Sequence, residues 1–230
     1  QKPLTDYVNP MLGTATLWDS VDLGFKPTKR TWGAEVFPGS SLPNAMVQVS
    51  PVTKFHSGAG YQYEDSVIYG FTHTNKGHWN LCHIPLLPVT GTPTPGDYCS
   101  PFSHERESAA PGYYQVFLDR YGVDAQPSST LRCAFHKYTY PAGAAASLLA
   151  DLQRSNEHVR AWDIRKEGDN VFAGWQQTGE KMYFYAVANR PVTGIEPVVE
   201  GDREVRIVRF GEGDGALELR IGFSFVSEKN

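Results

Sequence analysis

The sequence predicts an all-β fold, a large two-sheet β-sandwich, and three observations carry that prediction. No window holds a sustained 3.6-residue apolar period, the mark of an amphipathic helix. Pro and Gly, 16 and 22 in number, punctuate every stretch that could otherwise be helical. Short apolar or alternating runs recur along the chain, as they do in sandwiches and barrels. A chain of 230 residues can bury a large core. It has no internal repeat, low-complexity run or linker, so residues 1–230 read as a single domain.

The elements follow in order. Apolar runs at 46–49, 67–71 and 84–89 read as strands cut short by Pro and Gly. Residues 92–110, rich in Pro, Ser and charge, read as a long loop. Strands follow at 113–120, 130–140 and 146–153. Residues 159–166 and 171–177 pair as a hairpin around Asp169-Asn170, and 182–188 continue the meander. Trp162 and Trp175 lie in that hairpin and are assigned to the core; Trp18 and Trp32, flanking the basic stretch 26–30, are assigned to core or interface packing. Val205 and Ile207 alternate with Glu204 and Arg206. Leu217, Leu219, Ile221, Phe223 and Phe225 alternate with Glu218, Arg220, Gly222 and Ser224, the period of a half-buried strand. Gly211-Glu212-Gly213-Asp214-Gly215 between those two runs reads as a hairpin loop.

Composition excludes several classes. Net charge is −4 and no Lys/Arg run is long enough to grip phosphates, so nucleic acid is not an expected partner. No apolar run approaches the length of a membrane span. Gln1-Lys2-Pro3 reads as a mature or trimmed start. Cys82, Cys99 and Cys133 make an odd count, which allows one bridge at most; three buried thiols are the plainer expectation. Nucleophile-elbow, P-loop, dinucleotide and EF-hand motifs are all missing.

The chemistry concentrates in Thr72-His73-Thr74-Asn75-Lys76-Gly77-His78-Trp79-Asn80-Leu81-Cys82-His83. Hydrogen-bonding groups beside an aromatic plate suit a sugar, whose hydroxyls take the polar groups while its C–H face lies on the ring. Trp79 is the candidate plate, with Asn75, Lys76, His78 and Asn80 as hydroxyl partners and His73, at the entry of the loop, as a further substrate contact. An ordered loop whose tryptophan plugs an interface is the structural alternative. His73, His78 and His83 stand five apart, a spacing that neither strand nor helix gathers on one face, so no metal site is expected here. Glu105 and Glu107, two apart, would share a face on a strand. Their neighbours His104 and Arg106 instead suggest a solvated, ion-paired segment, with Glu105 as a substrate or interface contact and neither as a catalytic acid.

Motifs in order along the chain resemble the N-terminal domain of glycoside hydrolase family 92. They are Asp6–Thr14, Phe37-Pro38-Gly39-Ser40, Met46-Val47-Gln48-Val49-Ser50-Pro51, Ser57-Gly58 with Tyr61, and Gly70-Phe71-Thr72-His73-Thr74. Further on come His104-Glu105-Arg106-Glu107, Pro111-Gly112-Tyr113-Tyr114, His136–Pro141, Val187–Pro191 and Ile221–Ser227. The resemblance implies a galactose-mutarotase-like supersandwich from an inverting, exo-acting α-mannosidase of the α-1,2 type that acts on mannose-rich glycans. It implies that this chain holds no catalytic residue: the general-acid Glu and the base Asp belong to an (α/α)6 domain expected downstream of it. Calcium is expected mainly in that domain and none in this chain. The partners are then a mannose-containing glycan and the protein's own C-terminal helical domain, and the protein is expected to be exported by a bacterium. The domain would lend the loop around His73–Asn80 to the sugar site and be inactive alone. An autonomous carbohydrate-binding module and a purely structural sandwich are the competing readings.

Overall fold

Two different apolar patterns build two different sheets. In a computed structural model of the chain, residues 2–16, 24, 35–77, 79–213 and 215–229 are described; Trp18, Trp32 and His78 lie outside them. The strands in chain order are β1 (Ser40–Ser41), β2 (Gln48–Val52), β3 (Val67–Ile68), β4 (Gly70–Thr72), β5 (Asn75–Lys76), β6 (Trp79–Asn80), β7 (Leu86–Val89), β8 (Ser100–Pro101), β9 (Glu107–Ala110) and β10 (Tyr113–Leu118). They continue as β11 (Val123–Ser129), β12 (Cys133–Thr139), β13 (Ser147–Ala150), β14 (Ala161–Gly168), β15 (Val171–Gln177), β16 (Lys181–Ala188), β17 (Val192–Glu200), β18 (Arg203–Phe210) and β19 (Leu217–Ser224). Seven strands form one sheet in the order β1-β2-β4-β7-β13-β18-β17, and eight form the other, β14-β15-β16-β19-β12-β11-β10-β9. Both sheets are antiparallel, and the fold is the all-β sandwich the sequence predicts.

The eight-stranded sheet shows clean alternation. Leu217, Leu219, Ile221 and Phe223 of β19, with Met182, Phe184 and Ala186 of β16, point into the core while the residues between them do not. Strands β4, β7 and β13 of the other sheet are buried at every position, which is why they read as short unbroken apolar runs. No helix among the described residues is long and apolar enough to cross a membrane.

Several elements depart from the sequence reading. The run at 67–71 divides: β3 pairs with β8, whereas β4 joins the large sheet. Gly70, the first residue of β4, lies at φ 152°, where a Cβ would meet the Leu86 carbonyl oxygen at 3.0 Å. The strands that flank residues 211–215 do not pair as a hairpin, because β18 and β19 belong to opposite sheets. The stretch 92–110 contains β8, a 3-10 turn (His104–Arg106) and β9 as well as loop. Strands β11 and β17 carry prolines and weak strand formers. Pro197 is tolerated because β17 is an edge. Pro127 pairs with His136 of β12, while the register to β10 passes from Ser128 to Ala125 without it. Trp175 faces outward with the Lys181 ammonium 3.6 Å from its ring centroid, whereas Trp162 packs partly on the core. The cysteines are unbridged, and Cys82 alone of the three is buried.

Candidate functional site

Strands β5 and β6 form a two-rung hairpin in the loop between β4 and β7, turned at Gly77 with φ 61°. Its register pairs Asn75 with Asn80 and Lys76 with Trp79. Lys76 and Trp79 are therefore cross-strand neighbours, and both are exposed, Trp79 by 55%. Asn80 is buried beneath them, where its carboxamide oxygen accepts from the Cys82 amide at 2.7 Å and the Thr72 hydroxyl at 3.3 Å.

The base of this hairpin is strained and held from several sides. Cys82 and Ile84 both lie at φ 53°, a region that a β-branched residue such as isoleucine strongly disfavours. Strain of this kind persists only where surrounding contacts over-determine it. At Ile84 they do: its N–H donates to Gln176 Oε1 at 2.8 Å, and its carbonyl accepts from His73 Nδ1 at 2.9 Å. Gln176, buried on β15 of the other sheet, also donates to the carbonyls of Leu152 and Arg154, both at 2.9 Å. One side chain thus fixes the hairpin base and the 152–157 loop against the opposite sheet.

Asn156 locks three loops together. Its Oδ1 accepts from the His56 amide at 2.6 Å, its Nδ2 donates to the Asn80 carbonyl at 2.7 Å, and its own N–H donates to the Leu81 carbonyl at 3.0 Å. Beside it His83 donates Nε2–H to Glu157 at 2.8 Å, and its Nδ1 accepts from the Thr74 hydroxyl at 2.9 Å. Burial holds the His83 pKa below its usual range despite the carboxylate. Partial burial works against the Glu157 charge, yet the Thr178 hydroxyl, His83 and the nearby Lys76 ammonium together keep that carboxyl below its usual range. The exposed Lys76–Trp79 pair therefore stands on a rigid, ionised support.

The residues singled out in the sequence separate into different environments. Lys76 and Trp79 come together at the hairpin tip, with Asn75 and Asn80 behind them. His73 is fully buried, with both ring nitrogens engaged inside the protein, so in this fold it supports the loop and does not line its rim. Glu105 and Glu107 do not share a face, because the Ser103 hydroxyl caps a 3-10 turn and interrupts the expected strand there. Glu105 is exposed on that turn and makes no side-chain hydrogen bond to the hairpin among the described residues. Glu107, its side chain 1% exposed, accepts from the hydroxyls of Tyr61 and Tyr114 and from His104 Nδ1. Asn156 and Glu157 lie more than seventy residues beyond the hairpin, and no local pattern in the sequence marks them.

The sequence model of the glycosyl hydrolase family 92 N-terminal domain matches residues 7–224. The chain belongs to this family. Its fold is similar to the family GH92 α-mannosidase BT3965 from Bacteroides thetaiotaomicron, with TM-score 0.82 and 25% identity over 99% of this chain and 34% of that one. The family GH92 inverting mannosidase BT2199 from the same organism aligns at TM-score 0.78 and 21% identity, over all of this chain and 33% of that one. The GH92 glycosyl hydrolase ccman5 aligns at TM-score 0.75 and 24% identity, covering 96% and 32%. The sequence given thus spans about a third of the length of each of these structures. Curated protein sequences give no match. Within the family 92 domain, the hairpin tip combines a charged donor with an aromatic plate, a pair able to hold a polyhydroxylated ring by one hydroxyl and one face.

Proposed function

We propose that this family 92 domain is the N-terminal β-sandwich of an inverting, exo-acting α-mannosidase that removes terminal mannose from mannose-rich glycans. The carrying observation is the family match over residues 7–224 together with coverage of only a third of each mannosidase structure. In this reading the sandwich packs on a C-terminal helical domain that supplies the catalytic Glu and Asp. Its Lys76–Trp79 hairpin lends contacts to the sugar site, with His78, Asn75 and Glu105 as further candidate contacts.

Calcium belongs to the reading of the whole enzyme. Among the described residues no group of three or more His, Cys, Asp or Glu could hold a metal ion. Export by a bacterium is part of the same proposal.

The test is turnover. The 230-residue chain, purified alone, should release no mannose from an α-mannoside, while the full gene product should. Sustained release by the chain alone would sink the reading. Tight binding of mannosides by the chain alone, with Kd below about 1 mM, would instead favour an autonomous carbohydrate-binding module, whose platform the exposed Trp79 would provide.

A further inference from the structure

Next to the hairpin support lies a cleft of about 850 Å³ lined by His56, Gln153, Arg154, Glu157, His158, Arg160, Trp162 and Arg203, among others. The chain as a whole is acidic, at −4, yet three arginines and two histidines from separate segments meet here with a single carboxylate. That carboxylate, Glu157, is already engaged by His83 and Thr178, each at 2.8 Å.

Two of the guanidinium groups are held in place with donors unspent. Arg154 lies 4.1 Å over the Phe55 ring and 4.9 Å from that of Tyr69, and donates once, to the Tyr98 hydroxyl at 3.2 Å. Arg203 donates to Asp151 at 2.6 Å, an aspartate with no exposed surface. A guanidinium carries five N–H donors, so each keeps several free in a fixed orientation. Arg160 is exposed, and its guanidinium makes no ion pair or hydrogen bond among the described residues; the same is true of the rings of His56 and His158. A fork of fixed N–H donors matches phosphate and carboxylate oxygens, the loose Arg160 guanidinium at the rim adds charge without prior commitment, and the two imidazole rings add N–H donors. Trp162 supplies an aromatic wall, with one face covered by Arg206 at 5.2 Å.

We propose that this cleft binds the oxyanion of an acidic sugar, a phosphate ester or a uronic-acid carboxylate. The oxyanion part stands on the cleft alone; the sugar part rests on the glycan reading above.

Amide NMR titration of the 230-residue chain tests it, with sodium phosphate, sodium glucuronate and sodium chloride at matched ionic strength. Saturable shifts confined to residues 153–162 and around Arg203 are expected with one or both oxyanions and not with chloride. Tighter phosphate binding identifies a phosphate ester, and tighter glucuronate binding a uronic acid. The exposed double variant Arg160→Ala/His158→Ala should keep the wild-type spectrum elsewhere and bind about ten-fold or more weakly, the loss expected for a charge-assisted hydrogen bond. A response indistinguishable from chloride, or a double variant that titrates like wild type, overturns the proposal. Mannose release by the full gene product is a separate readout, so failure of the mannosidase reading and failure of this site are told apart.

Discussion

The Nε2 atoms of His73 and His136 lie 3.0 Å apart, bridging the end of β4 in one sheet to β12 in the other. The neighbours fix the protons. His73 Nδ1 faces the Ile84 carbonyl at 2.9 Å and must donate, so its Nε2 accepts from His136. His136 then accepts at Nδ1 from the Tyr138 hydroxyl at 2.8 Å. Every polar atom of this buried chain is satisfied with both rings neutral.

That arrangement makes stability fall in acid. Burial lowers both pKa values, that of His73 to about 3, with the neighbouring ring adding to the effect at His136. The unfolded chain binds these protons near pH 6.5 and the folded chain does not. The stabilisation is therefore present above about pH 6.5 and is lost as pH drops toward 3. Each histidine contributes a slope of about 1.4 kcal/mol per pH unit in that window. Urea midpoints measured from pH 7.5 to 4 should show it, and His136→Leu should remove about one proton from the slope. Retention of the full slope in that variant would refute the assignment. At neutral pH the same variant strands the Tyr138 hydroxyl and His73 Nε2, at about 2–4 kcal/mol.

Asn156→Ala should loosen the hairpin from a position outside it in the sequence. The change removes the partners of the His56 amide and the Asn80 carbonyl. A loss of about 1–3 kcal/mol is expected, chiefly from the part-buried Asn80 carbonyl, because water can replace the partner of the exposed His56 amide. Hydrogen exchange should accelerate at residues 56–58 and 79–82 and stay unchanged in β16 and β19. Uniform acceleration would mean that Asn156 matters only to global stability.

Glu105 and Glu107 give a paired contrast. Glu107→Gln places an amide group against the Tyr61 and Tyr114 hydroxyls and His104, and should cost about 2–4 kcal/mol in a denaturation measurement. Glu105→Gln, on the exposed side of the turn, should stay within about 0.5 kcal/mol of wild type. Equal losses would contradict the burial difference.

These contrasts mark how far the sequence was legible. Strands such as β16 and β19 were readable because one buried face imposes strict alternation on neighbouring residues. Strand β11 was not, since its Asp, Gln, Pro and Ser earn their place through cross-strand partners that no local window contains. At the site, the hairpin tip announced itself by residue type. Its support did not: Gln176, Asn156 and Glu157 act across long stretches of chain, and nothing near them in sequence differs from an ordinary polar loop. The same blindness applies to His73, whose surface-like composition conceals a core position created by His136 sixty-three residues later.

Trp79→Ala, made in the full gene product, separates a sugar platform from a packing role. Trp79 is 55% exposed and pairs across the hairpin with Lys76, so truncation should change stability by less than about 1 kcal/mol. If its ring carries a sugar face, the lost contact is worth about 1–2 kcal/mol, which lowers kcat/KM on an α-mannoside about five- to thirty-fold. Lys76→Ala should lower it through one lost charged hydrogen bond, while Lys76→Arg retains most of the activity. Phe at position 79 keeps the apolar face and should restore much of the loss, a rescue that an interface plug sized for indole would not show. Unchanged turnover in both Trp79→Ala and Lys76→Ala would remove the hairpin from the sugar site and leave the sandwich a supporting domain.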